Sequence, residues 1–164
     1  LTQERVIHEG GGLFGSKTMQ PTERPILLIE DNPMDVDLTR RAFTRRKLAH
    51  PIQVARDGEE ALAYIQKWEA HNPSPILILL DLKLPKVDGL EVLRQLKTHA
   101  IFRTIPVVIL STSTEESDVQ VAYQEGANSY IVKPVDFDQF MQIVEYIHIY
   151  WCTLNIPPAV KPGA

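Results

Sequence analysis

Four short apolar runs in this chain each stop at polar or charged residues. Ile26-Leu27-Leu28-Ile29 runs into Glu30-Asp31, and Ile76-Leu77-Ile78-Leu79-Leu80 into Asp81. Val107-Val108-Ile109-Leu110 meets Ser111-Thr112, and Tyr130-Ile131-Val132 meets Lys133-Pro134. Unbroken runs of this kind are expected for strands buried on both faces, which need helices to cover them. In an open parallel sheet, ligands and chemistry sit beyond the carboxyl ends of the strands. If the four runs are parallel neighbours, Glu30, Asp31, Asp81, the hydroxyls of Ser111 and Thr112 and the Lys133 ammonium converge. Such a set makes a cation site beside a reactive aspartate.

Between the runs, the apolar spacing switches to the helical period. Asn32-Pro33 opens a helix with Val36, Leu38, Ala42 and Phe43 inward, and Arg45-Arg46-Lys47 suits its C-terminal end. Ile52-Gln53-Val54-Ala55 alternates, as an edge strand would. Asp57-Gly58 turns into a helix over 59–69 with Ala61, Leu62, Ile65 and Trp68 inward. A third helix runs from Gly89 to about Thr98 through Leu90, Val92, Leu93 and Leu96, and Gly89 serves the turn into it. Thr114 is the expected cap of a fourth, with Glu115, Glu116 and Asp118 in its first turn and Gly126 ending it. A last helix runs from about Asp136 to Trp151. Strands alternating with helices predict an α/β fold with a parallel sheet.

The 164 residues, 44% of them hydrophobic, provide one domain with a short extension at each end. Residues 1–22 read as a leader, native or expression-derived, because Gly10-Gly11-Gly12 and Gly15-Ser16 break any periodicity. The folded domain is expected over 23–152. A tail over 153–164 is marked by Pro157-Pro158 and Pro162-Gly163. A net charge of −4 without long like-charge runs disfavours nucleic acid or an anionic membrane as partner. No apolar stretch approaches the roughly 20 residues of a membrane helix. One cysteine, Cys152, excludes an internal disulfide and a multi-cysteine zinc site, and it fits the cytoplasm. It reads as an inert tail thiol. His8, His50, His71, His99 and His148 lack ligand spacing and read as structural or surface residues.

The ordered set Glu30-Asp31, Asp81, Ser111 and Lys133-Pro134 resembles the response-regulator receiver domain over about Pro25 to Trp151. Ile29-Glu30-Asp31-Asn32-Pro33, Leu80-Asp81-Leu82-Lys83-Leu84-Pro85, Asp88-Gly89 and Tyr130-Ile131-Val132-Lys133-Pro134 carry the likeness. The resemblance implies a flavodoxin-like (βα)5 three-layer sandwich whose parallel strands are ordered 2-1-3-4-5. It implies a signalling protein, not an enzyme, with Asp81 taking a phosphoryl group from a sensor histidine kinase. Mg²⁺ would be held by Asp31, Asp81 and the backbone carbonyl of Lys83, with Glu30 acting through water. Glu30 departs from the family's common aspartate pair, but a longer carboxylate still reaches a metal-bound water. Ser111 matches the hydroxyl that contacts the acyl phosphate, Thr112 standing one position too late. Lys133 matches the charge-balancing lysine, and Tyr130 the aromatic that moves with the Ser111 switch. A Mg²⁺-dependent phosphohydrolase usually carries an acid two positions beyond its nucleophile, where this chain has Lys83. A flavin protein would need a Ser/Thr-rich phosphate loop after the first strand.

Too few residues follow Trp151 to form an output domain, so protein contact is the expected output. Phe140, Val144, Ile147 and Trp151 form the core face of the last helix. A second stripe of Ile143, Tyr146 and Tyr150, with Met141 and Ile149 nearby, is expected to be an interface. The alternative is a tail that folds back over it through Leu154 and Ile156. Leu110-Ser111-Thr112-Ser113, Asn32-Pro33-Met34-Asp35 and Tyr146 to Pro158 look like the small regulators paired with cyanobacterial and bacterial phytochromes. That likeness implies a phytochrome kinase as partner and a homodimer through the last strand and helix. A chemotaxis-type or phosphorelay receiver with a different kinase is the alternative.

Overall fold

The computed structural model describes residues 24–70 and 73–159, so the expected leader, His8 and His71 lie outside the described residues. Strands β1 (Ile26–Ile29), β2 (Ile52–Ala55), β3 (Leu77–Leu80), β4 (Val107–Ser111) and β5 (Ser129–Val132) form one sheet. It is parallel throughout and ordered β2-β1-β3-β4-β5. Helices α1 (Pro33–Arg45), α2 (Gly58–Ala70), α3 (Gly89–Thr98), α4 (Glu116–Gln124) and α5 (Phe137–His148) connect and follow the strands. This is the flavodoxin-like order that the strand-end motifs imply, with β2 at an edge.

Alternation along each strand divides the apolar residues between two cores. Leu27, Ile29, Ile78, Leu80 and Ile109 face α2 and α3 through Ala61, Ile65, Trp68, Val92, Leu93 and Leu96. Ile26, Leu28, Leu77, Leu79, Val108 and Leu110 face α1 and α5 through Val36, Ala42, Phe43, Phe140, Val144 and Ile147. Truncating one of these fully buried leucines to alanine costs about 2–5 kcal/mol. The sheet is therefore a rigid base for whatever its strand ends carry.

Local chemistry fixes the helix ends. Asn32 Oδ1 accepts from the Met34 amide at 2.9 Å, with Pro33 in the first helical turn. The α4 cap position is Glu115, not Thr114, and Ser113 Oγ accepts from the Glu115 amide at 3.3 Å. Thr114 is exposed and plays no part in that bond. Gly126, at φ 99°, ends α4: its amide donates to Tyr123 and that of Ala127 to Ala122.

Two expectations for the last helix change. Met141 is only 4% exposed and belongs to the α1–α5 core, so it is not part of a surface stripe. The helix packs against both the sheet and the neighbouring α1, and a helix so placed needs an apolar face wide enough to include position 141. Beyond His148 the helix widens into a π-helical segment, Ile149–Leu154, where the Asn155 amide donates to the Tyr150 carbonyl at 2.7 Å. Trp151 is half-buried at the rim of the core. Leu154 and Ile156 are 66% and 93% exposed, so among the described residues they do not cover the stripe. No described helix is long and apolar enough to cross a membrane.

Candidate functional site

The carboxyl ends of β1, β3, β4 and β5 meet at Lys133. Its ammonium donates to Asp81 Oδ2 at 3.2 Å, to Asp35 Oδ2 at 2.9 Å and, very closely, to Glu30 Oε2. The Lys133 side chain is 7% exposed and that of Glu30 3%, so these charges sit away from water. Burial pulls the lysine pKa down, but the Glu30 and Asp35 hydrogen bonds, with the Glu30 and Asp81 charges, raise it overall. Lys133 therefore stays an ammonium. Burial likewise pushes the Glu30 carboxyl up to about 7, against the lowering pull of Lys133, and the Asp81 charge adds to the rise. The site holds more negative charge than one lysine balances.

Asp81 follows β3 directly and is almost buried. Its amide donates to the Ile29 carbonyl at 3.0 Å, continuing the β1–β3 ladder one residue past the strand. Its Oδ1 accepts from the Lys83 amide at 3.1 Å, which fixes the carboxylate. Gly89, at the start of α3, packs against this turn: a Cβ there would stand 2.5 Å from the Asp81 carbonyl oxygen. Its amide also donates to the Leu82 carbonyl at 3.1 Å. The glycine thus lets α3 close against the turn that holds Asp81.

Carboxylate oxygens of Glu30, Asp31 and Asp81 lie within 4.8 Å of one another, with Asp31 exposed. Hard oxygen donors at this separation fit a hard divalent cation, and the unbalanced charge would be relieved by one. The Lys83 side chain is exposed. Ser111 is fully buried, and its Oγ accepts from the Ser113 amide at 3.3 Å. Thr112 is exposed. The Lys133 amide donates to the Ser111 carbonyl at 2.8 Å, tying the ends of β4 and β5 together.

Tyr130 is half-buried, and its hydroxyl donates to the Ser113 carbonyl at 3.0 Å. Ser113 Oγ in turn donates to Asp118 Oδ2 at 2.6 Å. A continuous chain of bonds therefore runs from β5 through the loop after Ser111 into α4.

One residue of the cluster was not singled out from sequence. Asp35 joins the Lys133 cluster because the Asn32–Pro33 start places it in the first turn of α1. Helix phase from that cap is the signal that could have found it. Ser113 links the β4 loop to both Tyr130 and α4, a role that spacing alone does not reveal. Away from this cluster, Ile143 is half-buried, while Tyr146, Ile149 and Tyr150 are 59%, 42% and 53% exposed.

Comparison with known proteins gives a consistent answer. Residues 26–145 match the family described as response regulator receiver domain. The probable methanogenesis regulatory protein FilR2 of Methanothrix harundinacea is 46% identical over 134 residues, 81% of this chain and 86% of that protein. The phosphorylated cyanobacterial phytochrome response regulator RcpA superposes with a TM-score of 0.78 at 40% identity, covering 84% of this chain and 99% of RcpA. Response regulator Rcp1 of Synechocystis is 37% identical over 82% of this chain and 93% of its own length. The Mn²⁺-bound form of Rcp1 superposes with a TM-score of 0.76 at 36% identity, covering 83% of this chain and 99% of that one.

Proposed function

Because this chain belongs to the response regulator receiver domain family, we propose that Asp81 accepts a phosphoryl group from a histidine kinase with Mg²⁺ bound. Receiver domains are signalling proteins that bind a divalent metal and pair with sensor histidine kinases. The observation that carries the assignment is Asp81 itself, held by the Lys83 amide and facing the buried Lys133 ammonium.

A carboxylate is a weak nucleophile, so the transfer depends on alignment and on neutralising charge. An Asp81 oxygen attacks phosphorus as the bond to the kinase imidazole nitrogen breaks, and that nitrogen leaves with the electron pair. Mg²⁺, held by Asp31, Asp81 and the Lys83 carbonyl and through water by Glu30, would offset the charge on the phosphoryl oxygens. Lys133 exchanges its bond to Asp81 for one to a phosphoryl oxygen. The Ser111 hydroxyl then turns toward the phosphate, and Tyr130 follows because both are joined through Ser113. Turnover stays limited to slow self-dephosphorylation, since Lys83 stands where a phosphohydrolase places its acid.

The partner best supported is a phytochrome kinase in the cytoplasm, on the strength of the likeness to RcpA. A kinase tied to another signal is the second reading, and the 46% identity to FilR2 favours it. Output passes by protein contact, through a homodimer at the edge strand β5 and α5. Supporting this is an open groove of about 430 Å³ lined by Ile131, Ile143, Tyr146 and Tyr150 among others. Phosphotransfer from a panel of radiolabelled histidine kinases to wild type and Asp81→Asn tests the proposal. Label on wild type alone is expected, and label on both proteins overturns the site. Fast transfer only from kinases without a phytochrome module selects the second reading.

A further inference from the structure

The fold brings together three residues that lie far apart or unremarked in the sequence. His50 precedes β2, His148 ends α5, and Cys152 lies one turn on in the π-helical segment. Each offers a ligand atom, and these atoms all lie within 4.8 Å of one another. The imidazole centroids are 5.5 Å apart. This cluster is at the amino end of the strands, the opposite end of the sheet from Asp81.

Four details distinguish it from a packed pair of rings. His50 is 6% exposed, and its Nδ1 is 2.9 Å from the Arg24 carbonyl oxygen. A carbonyl only accepts, so Nδ1 carries the hydrogen and Nε2 keeps the lone pair, the arrangement seen when an imidazole is oriented to bind metal. His148 Nε2 is buried with no hydrogen-bond partner among the described residues. Buried nitrogens are almost always paired, and an orphan calls for an explanation. Cys152 follows His148 by four residues, which puts both on one side of the helix. Phe43 packs edge-on against His148, so the pocket is dry on that side.

We propose that His50, His148 and Cys152 form a binding site for one zinc-class divalent cation, distinct from the carboxylate site around Asp81. Two imidazoles and a thiolate select zinc or a similar borderline ion over Mg²⁺, which prefers oxygen. Bonds of about 2.0–2.3 Å set tetrahedral ligands roughly 3.5 Å apart, so closure needs a shift on the order of one ångström at most. Three protein donors leave a fourth position to water. Binding displaces the thiol proton to solvent and satisfies the orphan His148 nitrogen. The ion would fasten the segment carrying Tyr150 to the start of β2.

Cobalt reports thiolate ligation directly, and the chain has one cysteine, so the signal is assignable. Metal-stripped protein is titrated with Co²⁺ in excess Mg²⁺, which fills the oxygen site. The expected result is one Co²⁺ per chain with a thiolate-to-cobalt charge-transfer band in the near ultraviolet, abolished by Zn²⁺. Cys152→Ser should lose the band, His148→Gln should weaken binding at least roughly tenfold, and Asp81→Asn should keep the band. Absence of the band in wild type overturns the proposal without recourse to any variant, as does a band that survives Cys152→Ser.

Discussion

The Lys133 ammonium lies 3.2 Å from Asp81 Oδ2, joining the end of β5 to the end of β3 across the intervening β4. The same nitrogen holds Glu30 and Asp35, so one cation restrains three carboxylates. Lys133→Met should destabilise the metal-free protein by about 3–5 kcal/mol, because buried carboxylates then lose their partner. Added Mg²⁺ should recover part of that loss. Urea unfolding with and without Mg²⁺ measures both effects, and equal stability of variant and wild type would count against the cluster.

Glu30 makes the site sensitive to pH. Its folded-state pKa of about 7 stands above the ordinary value of 4.5, so the folded chain binds more protons than the unfolded chain between them. Its contribution to stability is present at the acid end of that window and falls as pH rises through about 7. Divalent-cation affinity should run the other way, rising with pH as Glu30 loses its proton. Glu30→Gln should flatten both profiles, which calorimetric titration at several pH values can follow.

Gly89→Ala separates packing from chemistry. The new Cβ would stand 2.5 Å from the Asp81 carbonyl oxygen and 2.6 Å from Leu82 Cα, so backbone must move. We expect a loss of about 1–3 kcal/mol together with slower phosphorylation, although position 89 carries no reactive group. Wild-type phosphorylation rates in a destabilised Gly89→Ala would show that the turn after Asp81 need not be held in place.

Much of this was legible because the strands are continuous apolar runs. An unbroken apolar run as short as Ile76 to Leu80 fits a strand covered on both faces, and the residue after such a strand lies at its carboxyl edge. The positions of Asp81, Ser111 and Lys133 at the strand ends are therefore legible from the runs alone. Met141 was not, because α5 is apolar on several sides and periodicity alone cannot tell which face meets α1. Thr114 looked like a cap, whereas Ser113 supplies the bond, since loop geometry decides which hydroxyl reaches the amide. Helix phase places Asp35 in the first turn of α1 and sets His148 and Cys152 on one side of their helix, but the meeting of Asp35 with Lys133, and of the His148 and Cys152 pair with His50, depends on tertiary approach between distant segments.

The exposed stripe gives a prediction about assembly. Tyr146→Lys with Tyr150→Lys should reduce the hydrodynamic size while leaving phosphorylation of Asp81 unchanged, because both side chains lie on the surface of the last helix. Light scattering after size-exclusion chromatography reads the result, and an unchanged mass would remove the homodimer from the proposal.

If phosphate arrives on Asp81, the acyl phosphate can be trapped there. The protein is incubated with a small phosphodonor such as acetyl phosphate and Mg²⁺, then reduced with borohydride, which converts a phosphoaspartate to homoserine. Peptide mass spectrometry should find homoserine at position 81 in wild type and no conversion in Asp81→Asn. Conversion at another aspartate, or none in wild type while phosphate is incorporated, would mean that Asp81 is not the phosphoacceptor.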